Sequence, residues 1–134
     1  MKFAFADTSF FVASLIPRDR HHGAAISFSS SFRGNLVTTE YVLLEAANFF
    51  SRPPGRAKFL RLVRELYSSP AVEIVRSSDV LFARGLTLFA ARPDKEWSLT
   101  DCISFQVMTD RGLTDALTAD KHFEQAGFRV LLES

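Results

Sequence analysis

The chain has 134 residues, 47% of them hydrophobic, with 14 phenylalanines and a formal net charge of +1. That length and composition suit one packed α/β domain over residues 1–134 and exclude a disordered chain. A charge so close to balance neither requires nor excludes a nucleic-acid partner, because its distribution decides.

The lone cysteine, Cys102, rules out an intramolecular disulfide and points to a reducing cytoplasm. Met1-Lys2 and the apolar residues after it mimic a secretory leader, but Asp7 and Arg18 interrupt the pattern. No apolar run reaches the roughly 18 residues of a membrane span. The chain therefore reads as soluble and cytoplasmic, with no membrane partner.

Phe3-Ala4-Phe5-Ala6 reads as a buried strand that stops at Asp7, and a helix starts at Thr8 or Ser9. Pro17 to Arg20 is a polar break, and residues 21–33 are helix-compatible through Ala24, Ala25, Phe28 and Phe32. Leu36-Val37 is a short strand. Thr38-Thr39 caps a helix to about Ser51, with Leu43, Ala46, Ala47 and Phe50 on one face. Tyr41, Glu45, Asn48 and Arg52 fall on another face of that helix.

Pro53-Pro54-Gly55 interrupts the chain, and Phe59, Leu62, Val63 and Leu66 mark a helix over 56–68. Residues 72–75 are a strand, 78–91 an amphipathic helix and 92–96 a charged loop. Ser98-Leu99-Thr100-Asp101 opens a helix that ends at Gly112. A strand over 116–118, a short helix over 120–126 and a last strand over 128–132 complete the chain. Strands alternating with helices predict a central parallel sheet flanked by helices.

Each acid of interest has an ordinary use. Asp7 and Asp120 stand where helix caps stand, Asp101 completes a Ser-x-x-Asp capping box, and Glu45 lies on a wet stripe. Together they suggest more. Asp7 and Asp120 both follow strands, at the edge where open α/β sheets bind ligands. Four carboxylates at one rim repel each other unless a hard cation neutralises them, and Mg²⁺ or Mn²⁺ accepts oxygen donors.

Four motifs then resemble those of PIN-domain ribonucleases, the group that includes the VapC toxins of toxin–antitoxin pairs. They are Phe5-Ala6-Asp7-Thr8-Ser9, Thr38-Thr39-Glu40-Tyr41-Val42-Leu43-Leu44-Glu45, Leu99-Thr100-Asp101-Cys102 and Leu117-Thr118-Ala119-Asp120-Lys121-His122-Phe123. The resemblance spans almost the whole chain and implies a Rossmann-like sheet of strand order 3-2-1-4-5. By position it implies that Asp7, Glu45, Asp101 and Asp120 are the catalytic, metal-binding acids, holding one or two Mg²⁺ or Mn²⁺ ions. Thr8 or Ser9, and Thr118, would support them. It also implies RNA cleavage leaving a 5′-phosphate and a 3′-hydroxyl, an antitoxin protein as partner, and a homodimer. Many relatives carry a further acid two residues after the last one, where this chain has His122.

The residues alone give only a metal and a phosphate: one ion activates water, and a second stabilises the departing oxygen. RNA needs cations near the acids. Arg52 is the first candidate because it shares the Glu45 stripe, and Lys121 adjoins Asp120. His21 and His22 diverge, as adjacent helical residues do, and no third ligand accompanies them. A haloacid-dehalogenase phosphatase would need Asp where Ser9 stands, and no glycine-rich phosphate loop follows the first strand. A PIN fold kept as a binding module, or an RNA-processing nuclease without a toxin role, remain as alternatives.

Overall fold

The computed structural model describes residues 2–132. The first half of the chain forms β1 (Phe3–Ala6), α1 (Thr8–Leu15), α2 (His22–Ser31), β2 (Asn35–Thr39), α3 (Glu40–Phe49) and α4 (Gly55–Ser68). The second half forms β3 (Val72–Val75), α5 (Asp79–Ala91), α6 (Leu99–Asp110), β4 (Asp115–Leu117), α7 (Lys121–Gln125) and β5 (Arg129–Val130). The strands make one parallel sheet in the order β3-β2-β1-β4-β5. The predicted parallel sheet and the strand order implied by the family resemblance both hold.

Parallel strands lie between layers of helix, so they carry apolar residues on both faces. In β1, Ala4, Phe5 and Ala6 are all buried. Side-chain caps set where the helices begin. Thr39 closes β2 and accepts a hydrogen bond from the Val42 amide at 3.0 Å, so one residue ends a strand and starts α3. Ser78, three residues after β3, caps α5 by accepting the Leu81 amide. Ser98 and Asp101 form the complete capping box of α6.

Of the phenylalanines on helices or at their ends, Phe50 and Phe59 are buried and Phe28 packs half-buried against the core, whereas Phe49, Phe82 and Phe89 are exposed. Phe5, Phe11 and Phe123 are fully buried, and Phe105 meets both Phe123 and Trp97 edge-on. Trp97 thus covers the core, and its indole N–H donates to Gln125 Oε1. Helices α5 and α6 pack closely because Gly85 faces Ile103: a Cβ there would lie 2.3 Å from Ile103 Cγ1. Arg84 ties the same two helices to Gln106 and Asp110.

Some boundaries differ from expectation. The last strand pairs only over Arg129–Val130, not 128–132, because β5 is an edge strand and its one neighbour, β4, has three residues. Helix α3 stops at Phe49, short of Ser51. Helix α5 is apolar on two sides: Leu81 and Gly85 face inward, while Phe82, Leu86 and Phe89 form an exposed stripe. No helix among the described residues is long and apolar enough to cross a membrane.

Candidate active site

Parallel pairing of β1 with β4 sets Ala6 beside Leu117, so the residues just after both strands meet at one sheet edge. A cavity of about 550 Å³ opens there, lined by Asp7, Thr8, Ser9, Glu45, Ser98, Asp101 and Asp120 among others. All four acids marked in the sequence border this one cavity. They come from four places: the end of β1, the middle of α3, the first turn of α6 and the turn into α7.

Asp7 is 4% exposed and sits at the N-cap position of α1, yet its side chain makes no capping bond. Its Oδ2 instead accepts from the Thr118 hydroxyl at 2.9 Å. Thr118 Oγ1 also receives the Asp120 amide at 3.0 Å and lies 2.9 Å from Ser9 Oγ. Thr118 has one proton, which goes to Asp7, so Ser9 must donate to Thr118. Ser9 Oγ in turn accepts the Ala119 amide at 3.1 Å. This chain of bonds locks the end of β1 to the turn after β4. The Thr8 hydroxyl is also buried in this wall and has no protein partner.

Burial pushes the Asp7 carboxyl up from the ordinary 3.8 to about 7. The Thr8 amide and the Thr118 hydroxyl pull it back down, and the nearby charges of Asp101 and Glu45 push it up further. Asp101 is raised for the same leading reason, with Asp120 adding repulsion and the Ser98 amide and His122 opposing it. Acids held so far from water, beside other acids, suit a cation that replaces their protons. An all-oxygen set of carboxylates with a spare hydroxyl suits a hard divalent ion. The residues present therefore fit Mg²⁺ or Mn²⁺.

The ordinary roles of two acids are also present. Asp101 Oδ2 accepts the Ser98 amide at 3.1 Å, and Asp120 Oδ1 accepts the His122 amide at 2.9 Å. Each bond fixes a carboxylate at the start of a helix while the group still lines the cavity.

Arg52 and Lys121 are both exposed and do not line the cavity. The helical stripe from Glu45 toward Arg52 ends with α3 at Phe49, so the register linking the two residues stops before Arg52. Three residues beyond the four acids read from the sequence also stand at the site. Asp19 and His21 line the cavity from the loop after α1, where the His21 amide donates to Asp19 Oδ1 at 2.8 Å. His22 points elsewhere, with Nδ1 2.7 Å from the Ala13 carbonyl. The Asp-x-His spacing of a side-chain turn was the available signal for that loop. The third residue is His122, whose Nδ1 lies 3.2 Å from Asp101 Oδ2 and 3.3 Å from Asp120 Oδ1.

A family model described as the PIN domain matches residues 4–129. The chain belongs to the PIN-domain family. The 23S rRNA-specific endonuclease VapC20 of Mycobacterium tuberculosis is 30% identical over 125 residues, covering 92% of this chain and 94% of the relative. The crystal structure of M. tuberculosis VapC20, titled a sarcin-ricin loop cleaving toxin, superposes with a TM-score of 0.85. It is 26% identical and covers 95% of this chain and 96% of that one. DNA-bound VapBC from Salmonella typhimurium shares the fold, with a TM-score of 0.64, 16% identity and coverage of 97% and 96%. This PIN domain thus matches VapC toxin endonucleases in both sequence and structure.

Proposed function

We propose that this chain is a metal-dependent endoribonuclease that hydrolyses RNA phosphodiester bonds as the toxin of a VapBC-type toxin–antitoxin pair. The observation that carries this reading is the meeting of Asp7, Glu45, Asp101 and Asp120 around one cavity at the sheet edge. Likeness to VapC20 along nearly the full length of both chains supports it. The whole of residues 1–134 acts as one PIN domain in this reading, in the cytoplasm, where RNA is found.

The four acids hold one or two divalent ions. Bound there, the metal supplies a Lewis acid that activates water and balances charge on the departing oxygen. The protein's own part is to keep the carboxylates placed. Thr118 and Ser9 orient Asp7, Ser98 orients Asp101, and the amide of His122 orients Asp120. Lys121, next to Asp120 at the start of α7, and Arg52 serve as phosphate contacts for the incoming strand.

An antitoxin protein silences the enzyme in this account, and the active form is a homodimer. The exposed stripe of Phe82, Leu86 and Phe89 on α5 supplies apolar surface of the kind that subunits bury. The name of the VapC20 relative makes ribosomal RNA the first substrate to assay. The test is cleavage mapping on total cellular RNA with Mg²⁺, with Mn²⁺ and with chelator. Discrete cuts that need the ion support the proposal. Intact RNA under every metal condition refutes it and favours a non-catalytic binding module.

A further inference from the structure

Resting on the metal-dependent reading above, we infer that His122 is itself a metal ligand. Asp101, Asp120 and His122 form one ion site, and its nitrogen donor makes that site prefer Mn²⁺ to Mg²⁺. Among the described residues, these three offer ligand atoms that all lie within 4.8 Å of one another.

Local structure explains how the ring arrives. Asp120 caps α7 by accepting the His122 amide, and that tight first turn carries the imidazole back over the carboxylates. The Asp101 side chain is only 8% exposed, and those of His122 and Asp120 are 23% and 33% exposed. The trio thus has a closed floor and an open side toward solvent, which lets an ion enter and keep water ligands.

The spacing suits coordination. Neighbouring donors around a six-coordinate ion, each at about 2.1 Å, stand about 3.0 Å apart. Nδ1 sits 3.2 Å and 3.3 Å from its two oxygens. In the metal-free protein a hydrogen bond joins Nδ1 to Asp101 Oδ2. An ion can take that place with small movement of the side chains, while the ring proton resides on Nε2. Two carboxylates balance a divalent charge, and a neutral imidazole adds a donor without adding charge.

The selectivity follows from donor chemistry. Mg²⁺ takes oxygen ligands and gives up water reluctantly, whereas first-row transition ions accept imidazole nitrogen readily. An all-carboxylate site would discriminate less between the two ions.

The full chain, loaded with Mn²⁺, is examined by electron spin-echo spectroscopy, and Mn²⁺ and Mg²⁺ affinities are measured by calorimetry. The expected result is a ¹⁴N coupling in the wild type that persists in His21→Ala and is lost in His122→Ala, with both variants folded by circular dichroism. Mn²⁺ affinity falls by about tenfold or more in His122→Ala, at least what removing an outer partner of a metal ligand costs. Mg²⁺ affinity falls less, so the ratio of the two narrows. Wild-type protein that binds Mn²⁺ with no ¹⁴N coupling, or a coupling that survives His122→Ala, overturns the assignment and leaves the nuclease reading standing. Wild-type protein that binds neither ion overturns both.

Discussion

Thr118 donates its only hydroxyl proton to Asp7 Oδ2 across 2.9 Å, and it is fully buried while doing so. Its oxygen also receives the Asp120 amide and the Ser9 hydroxyl, so its hydrogen-bonding capacity is filled. One threonine therefore sets the distance between two strand ends and aims a carboxylate into the cavity.

Replacing Thr118 by valine keeps the shape and removes the oxygen. Three partners then lose their bonds, and the buried one, Asp7, is orphaned at a cost of about 1–3 kcal/mol. Thr118→Val should lower the free energy of urea unfolding by about that amount and weaken RNA cleavage. Thr118→Ser should retain both, because the hydroxyl remains.

Asp7 gives the metal-free protein a pH dependence of definite sign. Its folded pKa is about 7 against an ordinary 3.8, so between those values the folded chain holds a proton that the unfolded chain has released. The contribution is fully present below about 4 and is lost as pH rises through 7. At about 1.4 kcal/mol per pKa unit the loss is at most about 4 kcal/mol. Asp7→Asn mimics the protonated acid. In chelator it should melt above wild type at pH 8 and level with it near pH 4. Added Mn²⁺ at pH 8 should raise the wild-type melting temperature much more than that of the variant.

Asp101 has two duties that two substitutions separate. Asp101→Asn keeps an oxygen for the Ser98 amide and loses the charge, so stability should hold while cleavage fails. Asp101→Ala also breaks the capping box and should cost about 1 kcal/mol more in unfolding. Denaturation curves and cleavage rates on both variants check this.

Gly85 tests the packing of α5 on α6. Alanine favours a helix by about 1 kcal/mol over glycine, yet a Cβ at Gly85 would collide with Ile103. Gly85→Ala should destabilise by about 1–3 kcal/mol through overpacking. Gly23, near the start of α2, has nothing within 4 Å of the same position, and Gly23→Ala should be neutral or stabilising. Thermal melts of the pair give the contrast.

Much of this was legible because local rules and global fold agree. The strand ending at Asp7, the Ser98–Asp101 box and the phenylalanine stripes each act over a few residues, and the sequence displays them directly. What was hidden depends on distance across the fold. His122 meets Asp101, 21 residues earlier, only because α6 and α7 start at the same sheet edge. Asp19 belongs to a polar break and His21 to the stretch that reads as helix, yet α2 starts only at His22, and no periodicity encodes the path of this loop over the cavity. Arg52 fell out of its expected stripe because a helix end lies between it and Glu45. Residues 78–91 read as an amphipathic helix, yet α5 also carries an exposed apolar stripe, because hydrophobic spacing alone does not say which face finds a partner.

The most direct measurement compares RNA cleavage by wild type and by Asp7→Asn in Mn²⁺, with chelator as control and circular dichroism to verify folding. Wild type should cut, stop in chelator, and exceed the folded variant by more than about a hundredfold. A folded Asp7→Asn protein that cuts at the wild-type rate, or wild-type cleavage undiminished by chelator, would contradict the account.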